Sequence, residues 1–209
     1  MIELYTWDTP NGRKVSIMLE ECGLPYTVHK VDLGKGEQFA PQFVALNPNS
    51  KIPVIVDSDG PPDKNAGAPI TLMESGAILV YLAGKTGRFL PRSVRGKYKA
   101  LEWLMFQMGS IGPMFGQLHV FLRLAEPVHY AQERYTKEKN RLYGVLDRRL
   151  GEARYLAGEY SIADIATYPW VARHTFHKID WAQYPNVKRW FDAISARPAV
   201  ARGMAVPAK

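Results

Sequence analysis

Cysteine is almost missing from this chain: Cys22 alone stands among 209 residues, so no intrachain disulfide is available to the fold. No stretch approaches the ~20 continuous apolar residues that a membrane helix needs. The chain opens Met1-Ile2-Glu3-Leu4-Tyr5 directly into a strand-like alternation, without the basic and apolar stretches of a secretory leader. Internal repeats and low-complexity tracts are absent as well. These absences predict a protein of the reducing cytoplasm with no membrane span. Basic residues outnumber acidic ones, 27 to 20, for a formal charge of +7, yet they are scattered and often neighbour acids. No basic run is interleaved with aromatics, as an RNA-binding platform requires. The excess charge therefore reads as a solvated basic face that attracts small anions, not nucleic acid.

What is present is an ordinary globular balance, with 46% hydrophobic and 22% charged residues. Residues 2–7 alternate as a short strand, and Thr9-Pro10-Asn11-Gly12 punctuates it. Residues 13–22 carry Val15, Ile17, Met18 and Leu19 on a helical face, stopped by Gly23-Leu24-Pro25. Residues 26–31 read as a second strand, parallel to the first through a right-handed crossover. A polar stretch over 32–49 holds a short helix near Pro41-Gln42-Phe43-Val44. A strand over 51–57, an exposed loop over 59–69, a strand over 70–73 and an apolar helix over 77–83 follow. The order β-α-β, variable helix, β-β-α is that of a thioredoxin-like fold. Beyond Gly87-Arg88-Phe89-Leu90-Pro91 strand signals vanish, and helices are expected over 95–108, 130–150, 162–176 and 187–196. The chain is thus read as an α/β thioredoxin-like domain over 1–86 and an all-helical domain over 92–209.

Several residues carry chemistry, each with a plainer reading beside it. Ile52-Pro53 opens a strand; a cis bond there would present the Ile52 backbone to an extended peptide, and the plainer reading is an edge-strand proline. Glu74-Ser75 sits where a strand meets a helix. The Ser75 N–H and hydroxyl suit a carboxylate and Glu74 suits an ammonium, while an ordinary N-cap would look the same. Thr9-Pro10-Asn11 opens the first helix, where a hydroxyl or amide can stabilise a thiolate or simply cap. Cys22 lies late on the apolar side of that helix and reads as packing, not as a nucleophile. Ser161 followed by Asp164 is a capping box ahead of an apolar helix.

Together these pieces resemble the glutathione transferase superfamily over nearly the whole chain. The resemblance rests on Asn47-Pro48-Asn49-Ser50-Lys51-Ile52-Pro53, on Leu72-Met73-Glu74-Ser75-Gly76-Ala77-Ile78, and on the Ser161-Ile162-Ala163-Asp164 box. Thr9-Pro10-Asn11, the segment Val31 to Phe39 around Gln38, Gly112-Pro113-Met114-Phe115-Gly116-Gln117 and Glu133-Arg134-Tyr135 resemble the bacterial nu-type glutathione transferases, which act as disulfide-bond oxidoreductases. That resemblance implies that Thr9 and Asn11 approach glutathione sulfurs. It implies that Gln38, Lys51, Ile52, Pro53, Glu74 and Ser75 hold the peptide, and that Arg134 reaches glutathione bound in the other subunit of a homodimer. Glutathione or glutathione disulfide is the implied cofactor, with no metal, no membrane and no nucleic acid.

Glutaredoxin-like and omega-type relatives carry a cysteine where this chain has Thr9-Pro10-Asn11, so the expected disulfide reductase works without a protein thiol. Glutathione conjugation to electrophiles and organic peroxide reduction draw on the same activated thiolate. A non-catalytic glutathione-binding regulator is the reading of a different class. Tyr5 is expected to be buried. Phe115, Gln117, His119 and Trp170 are expected to line a substrate pocket.

Overall fold

The computed structural model describes residues 1–61 and 67–208, so much of the loop expected over 59–69 lies outside the described residues. The chain forms two compact units. The first comprises Met1–Arg88 with Ala196–Lys209, and the second Phe89–Ser195.

In the first unit β1 (Ile2–Thr6), α1 (Pro10–Cys22) and β2 (Tyr26–Lys30) form the expected β-α-β unit with its two strands parallel. The short α2 (Pro41–Val44) follows, then β3 (Val54–Asp57), β4 (Ile70–Met73) and α3 (Ser75–Thr86). The sheet runs β2-β1-β3-β4, with β1 parallel to β2 and β3 antiparallel to both its neighbours. Ile2, Leu4 and Thr6 are buried, as period-two alternation requires. Val15, Ile17, Met18 and Leu19 of α1 are fully buried with Ile78, Leu79 and Leu82 of α3. Gly23 closes α1 in the left-handed region at φ 68°, and its N–H reaches the Glu20 carbonyl.

The C-terminal α9 (Pro198–Met204), not anticipated in the sequence, packs on α1 within this unit. Ser16 donates to the Gly203 carbonyl at 2.7 Å, and the Arg197 guanidinium grips Glu21 through two bonds of 2.5 and 2.8 Å. Only glycine fits at 203, because a Cβ there would lie 2.5 Å from the Ile17 Cα.

The second unit contains α4 (Val94–Phe106), α5 (Gly112–Arg123), α6 (His129–Glu152), α7 (Ile162–Val171) and α8 (Pro185–Ser195). The helix expected over 95–108 stops at Phe106 and widens into a π turn over Gln107–Ile111. Pro113 lies just past that turn and has no N–H to continue an α ladder, a sufficient reason for the wide turn. Helix α7 likewise ends at Val171 and not at 176, with Pro169 inside it. The Ser161 capping box is formed. Asp164, completely buried, accepts from the Ser161 and Leu156 N–H groups at 3.0 Å each and from the Trp190 indole N–H at 2.8 Å. Burial raises its pKa to about 6 against the pull of those donors. Among the described residues no helix is long and apolar enough to cross a membrane.

Candidate active site

Sheet register brings the candidate segments to one end of the first unit. Tyr5 pairs with Val54, Val54 pairs with Met73, and Thr6 pairs with Lys30. Thr9 follows β1, Ile52-Pro53 precedes β3, Glu74 follows β4 and Gln38 follows β2, so all four leave the sheet at that same end.

Thr9 has an extended backbone (φ −134°, ψ 157°), and its hydroxyl oxygen accepts the Gly12 N–H at 3.1 Å. It is therefore a helix cap. A hydroxyl can accept and donate at once, so its proton stays available to a ligand. Pro10 occupies the first helical turn, where a missing N–H costs nothing. Asn11 follows, half-buried, in the same turn. Gly12 lets the turn close, since a Cβ there would fall 2.6 Å from the Trp7 carbonyl oxygen. No acid sits in the first turn of α1, and Asp8 just outside it pairs with Arg13 at 2.6 Å. The positive end of the helix dipole thus faces Thr9 and Asn11, which suits a thiolate.

Asn47 shapes the approach to β3. Its side-chain amide donates to the Lys51 carbonyl at 2.6 Å and accepts the Asn49 N–H at 2.9 Å, with Ser50 in the left-handed region at φ 54°. The Ile52–Pro53 peptide is cis. Ladder pairing of β3 begins at Val54, which leaves Ile52 outside it. The Ile52 side chain anchors on a small core of Val31, Phe43 and Val54. Lys51 is exposed, and Pro53 is buried. Gln38 lies in a short 3₁₀ turn; its Oε1 is buried and meets no donor among the described residues. A buried acceptor left open in this way suits a ligand N–H.

Glu74 occupies the N-cap position of α3 with φ 67°, but its side chain makes no capping bond. Its exposed side chain is therefore not spent as the helix cap. Ser75, buried, starts α3, and its Oγ accepts from the Lys14 ammonium at 3.3 Å. Lys14 is itself only 1% exposed, and burial lowers its pKa to about 7 despite the nearby negative charge of Glu74.

Arg134 belongs to the second unit, on α6. It is exposed, forms no ion pair among the described residues, and lines a cavity of about 600 Å³ with Tyr130, Tyr135, Lys137 and Arg141. The expected pocket lining needs correcting. Phe115 is fully buried, stacked on Tyr143 at 5.3 Å and edge-on to His177, so it is core. Trp170 is also buried, and His119 bonds His177 through their Nε2 atoms at 2.7 Å. Only Gln117 is exposed. Tyr5 is half-buried and stacked on His29 at 4.5 Å. Cys22 lies 3.5 Å from the Thr86 hydroxyl, and burial raises its thiol pKa, as expected of a packing residue. Among the described residues no three His, Cys, Asp or Glu side chains gather as metal ligands would.

Residues 9–85 match the glutathione S-transferase N-terminal domain, and residues 111–198 match the glutathione S-transferase C-terminal domain. The chain belongs to the glutathione S-transferase family. Among its relatives in the family, the disulfide-bond oxidoreductase YfcG of Escherichia coli K12 is 51% identical over 206 residues, 98% of this chain and 94% of its own. A glutathione transferase from Burkholderia graminis, crystallised with two glutathione molecules per subunit, superposes with a TM-score of 0.93. Its identity is 48%, and the match covers 100% of this chain and 89% of that one. A Pseudomonas putida glutathione transferase, crystallised with one glutathione disulfide per subunit, gives a TM-score of 0.91 at 45% identity, covering 99% and 91%.

For this transferase the residue that sequence reasoning passed over is Lys14. The available signal was a lysine next to Val15, one helical turn before Ile17, Met18 and Leu19 on the apolar part of the helix. A charged residue at that point reads as solvent-facing until α3 is seen to cover it.

Proposed function

We propose that this chain is a glutathione-dependent disulfide-bond reductase that uses no protein cysteine. The observation that carries the reading is the start of α1: Thr9 caps the helix through its oxygen while its proton stays free to donate, at the positive end of a helix with no acid in its first turn. The YfcG likeness supports the same reaction.

Glutathione is a substrate here, and it leaves as its disulfide. In balance, two glutathione thiols and one disulfide become glutathione disulfide and two product thiols. The chain's own part is to bind, orient and lower a thiol pKa. Thr9 and Asn11 donate to sulfur and favour the thiolate, the form that attacks. Gln38, Lys51 and the Ile52 backbone ahead of Pro53 hold the peptide, Glu74 takes the ammonium, and Ser75 at the α3 N-terminus takes the carboxylate.

The glutathione-binding domain spans 1–86, with α9 added to it, and the helical domain begins at 92. The protein works in the cytoplasm as a homodimer. Val94, Tyr98 and Met105 on α4 and Tyr130 at the start of α6 are large, exposed apolar side chains that a second copy would cover. Arg134 then serves the glutathione of the other subunit. The test is a Thr9→Ala, Asn11→Ala double variant assayed for glutathione-dependent reduction of a model disulfide. A collapse of turnover with a retained fold is expected, and full turnover would refute the assignment.

A further inference from the structure

Helix α6 turns a face inward along Ala131, Leu142, Tyr143, Leu146 and Leu150, and Lys139 stands in that same buried stripe at 4% exposure. An ammonium removed from water needs a compensation that apolar neighbours cannot give. The Lys139 Nζ donates to the His177 carbonyl at 2.9 Å. An ammonium has three protons; among the described residues that carbonyl is its one hydrogen-bond partner, and no carboxylate acts on its charge. Burial accordingly lowers its pKa. The side chain borders a cavity of about 400 Å³ inside the second unit, walled by α5, α6 and residues 176–184. Thr136 and Asn140 line the same cavity, so α6 presents a hydroxyl, an ammonium and an amide at i, i+3 and i+4. Lys178 adds an exposed cation that forms no ion pair among the described residues. Asp180, the one acid among the described lining residues, is already engaged: its carboxylate accepts the Ala182 N–H at 3.0 Å and the Gln183 side-chain amide at 3.3 Å. Leu118, Leu122 and Phe176 make an apolar wall.

We propose that this cavity binds a small organic carboxylate, its anionic end on Lys139 and its apolar body against Leu118, Leu122 and Phe176. Charge sets the sign of the ligand, since two lysines face one carboxylate that is already bonded. The Thr136 hydroxyl and the Asn140 amide supply donors beside the ammonium, as a carboxylate with two oxygens requires. The apolar wall gives an organic body a surface that a bare inorganic ion cannot use. A carboxylate set against Lys139 favours the charged form of the lysine, so binding restores the ammonium that burial works against. Such a buried pair is also screened less by salt than one on the surface. The site lies within the helical unit and does not rest on the glutathione site proposed above.

The probe is benzoate, with benzamide as its neutral counterpart and inorganic phosphate as an anion without an apolar body. Calorimetric titrations use the full chain with glutathione in excess, so that positions serving the peptide's own carboxylates are filled. One benzoate per chain is expected to bind the wild type, with benzamide and phosphate at least tenfold weaker. Lys139→Met should weaken benzoate about tenfold or more, the scale of a lost charge-assisted hydrogen bond. Circular dichroism checks the fold. Thr136→Glu keeps the test decisive if the Met variant does not fold: it changes a half-buried position and sets a carboxylate one helical turn before Lys139, inside the cavity. It should abolish benzoate binding. A wild type that binds no benzoate, or that binds benzamide or phosphate equally well, overturns the proposal. So does benzoate binding that Lys139→Met and Thr136→Glu leave unchanged.

Discussion

The proposed site gives Thr9 two duties that substitution can separate. Its Oγ1 accepts the Gly12 N–H at 3.1 Å, and its proton is assigned to the glutathione sulfur. Aspartate is among the strongest N-caps, so Thr9→Asp keeps the first duty and should leave stability within about 0.5 kcal/mol. It cannot perform the second, because an ionised carboxylate only accepts and would repel a thiolate. Losing a hydrogen bond to a charged partner costs about 1.5–3 kcal/mol, so kcat/KM for disulfide reduction should fall by roughly 10- to 150-fold before repulsion is added. Thr9→Ser keeps both duties and should stay within about threefold of wild type. Thr9→Ala loses both, at about 1 kcal/mol in stability and the same fall in rate. Urea unfolding and steady-state kinetics on the three variants read the two axes independently. A Thr9→Asp enzyme as fast as wild type would refute donation, and a Thr9→Ala enzyme that is fast but unstable would show that the residue is only a cap.

Other residues carry expectations of their own. Asp164→Ala strands the Ser161 and Leu156 N–H groups and the Trp190 indole, at about 1–3 kcal/mol for each buried donor. The urea midpoint should drop sharply, and an unchanged midpoint would contradict that bonding. Gly203→Ala places a Cβ 2.5 Å from the Ile17 Cα and should cost about 1–3 kcal/mol by overpacking, seen as a lower Tm. His177 is buried beside His119, and burial and neighbouring positive charges lower its pKa to about 3. The unfolded chain, with an ordinary histidine pKa near 6.5, binds that proton first, so stability is present above about pH 6.5 and is lost as pH falls below it. The slope from this residue is about 1.4 kcal/mol per pH unit, and His177→Phe should flatten it in unfolding measured from pH 7 to 4.5.

The first unit was largely legible in the sequence because its signals are local. Alternation marked β1, Gly23 ended α1, and Pro41-Gln42-Phe43-Val44 became α2 as read. The turns of the second unit were less so. Pro113 and Pro169 break long patterns at places where periodicity alone runs on, and α5 was seen only as a motif. Helix α9 is short, and its assignment to the first unit depends on Gly203 meeting Ile17, a contact between distant parts of the chain. At the site, residue types and spacing pointed to Thr9, Ile52 and Ser75, the family resemblance added Gln38, and strand register accounts for their shared end of the sheet. Lys14 escaped because nothing local distinguishes a buried lysine from an exposed one. Phe115 was misplaced for the converse reason, since an aromatic beside a glycine motif looks like a pocket wall until Tyr143 and His177 enclose it.

The central claim is that a bound glutathione thiolate, and no protein cysteine, reduces disulfides. Steady-state reduction of 2-hydroxyethyl disulfide with glutathione, coupled to glutathione reductase, tests it most directly when run on wild type and Cys22→Ala beside chlorodinitrobenzene conjugation. Rapid disulfide turnover, equal in both proteins and accompanied by feeble conjugation, is the predicted result. Turnover that disappears with Cys22, or strong conjugation with no disulfide reduction, would contradict it.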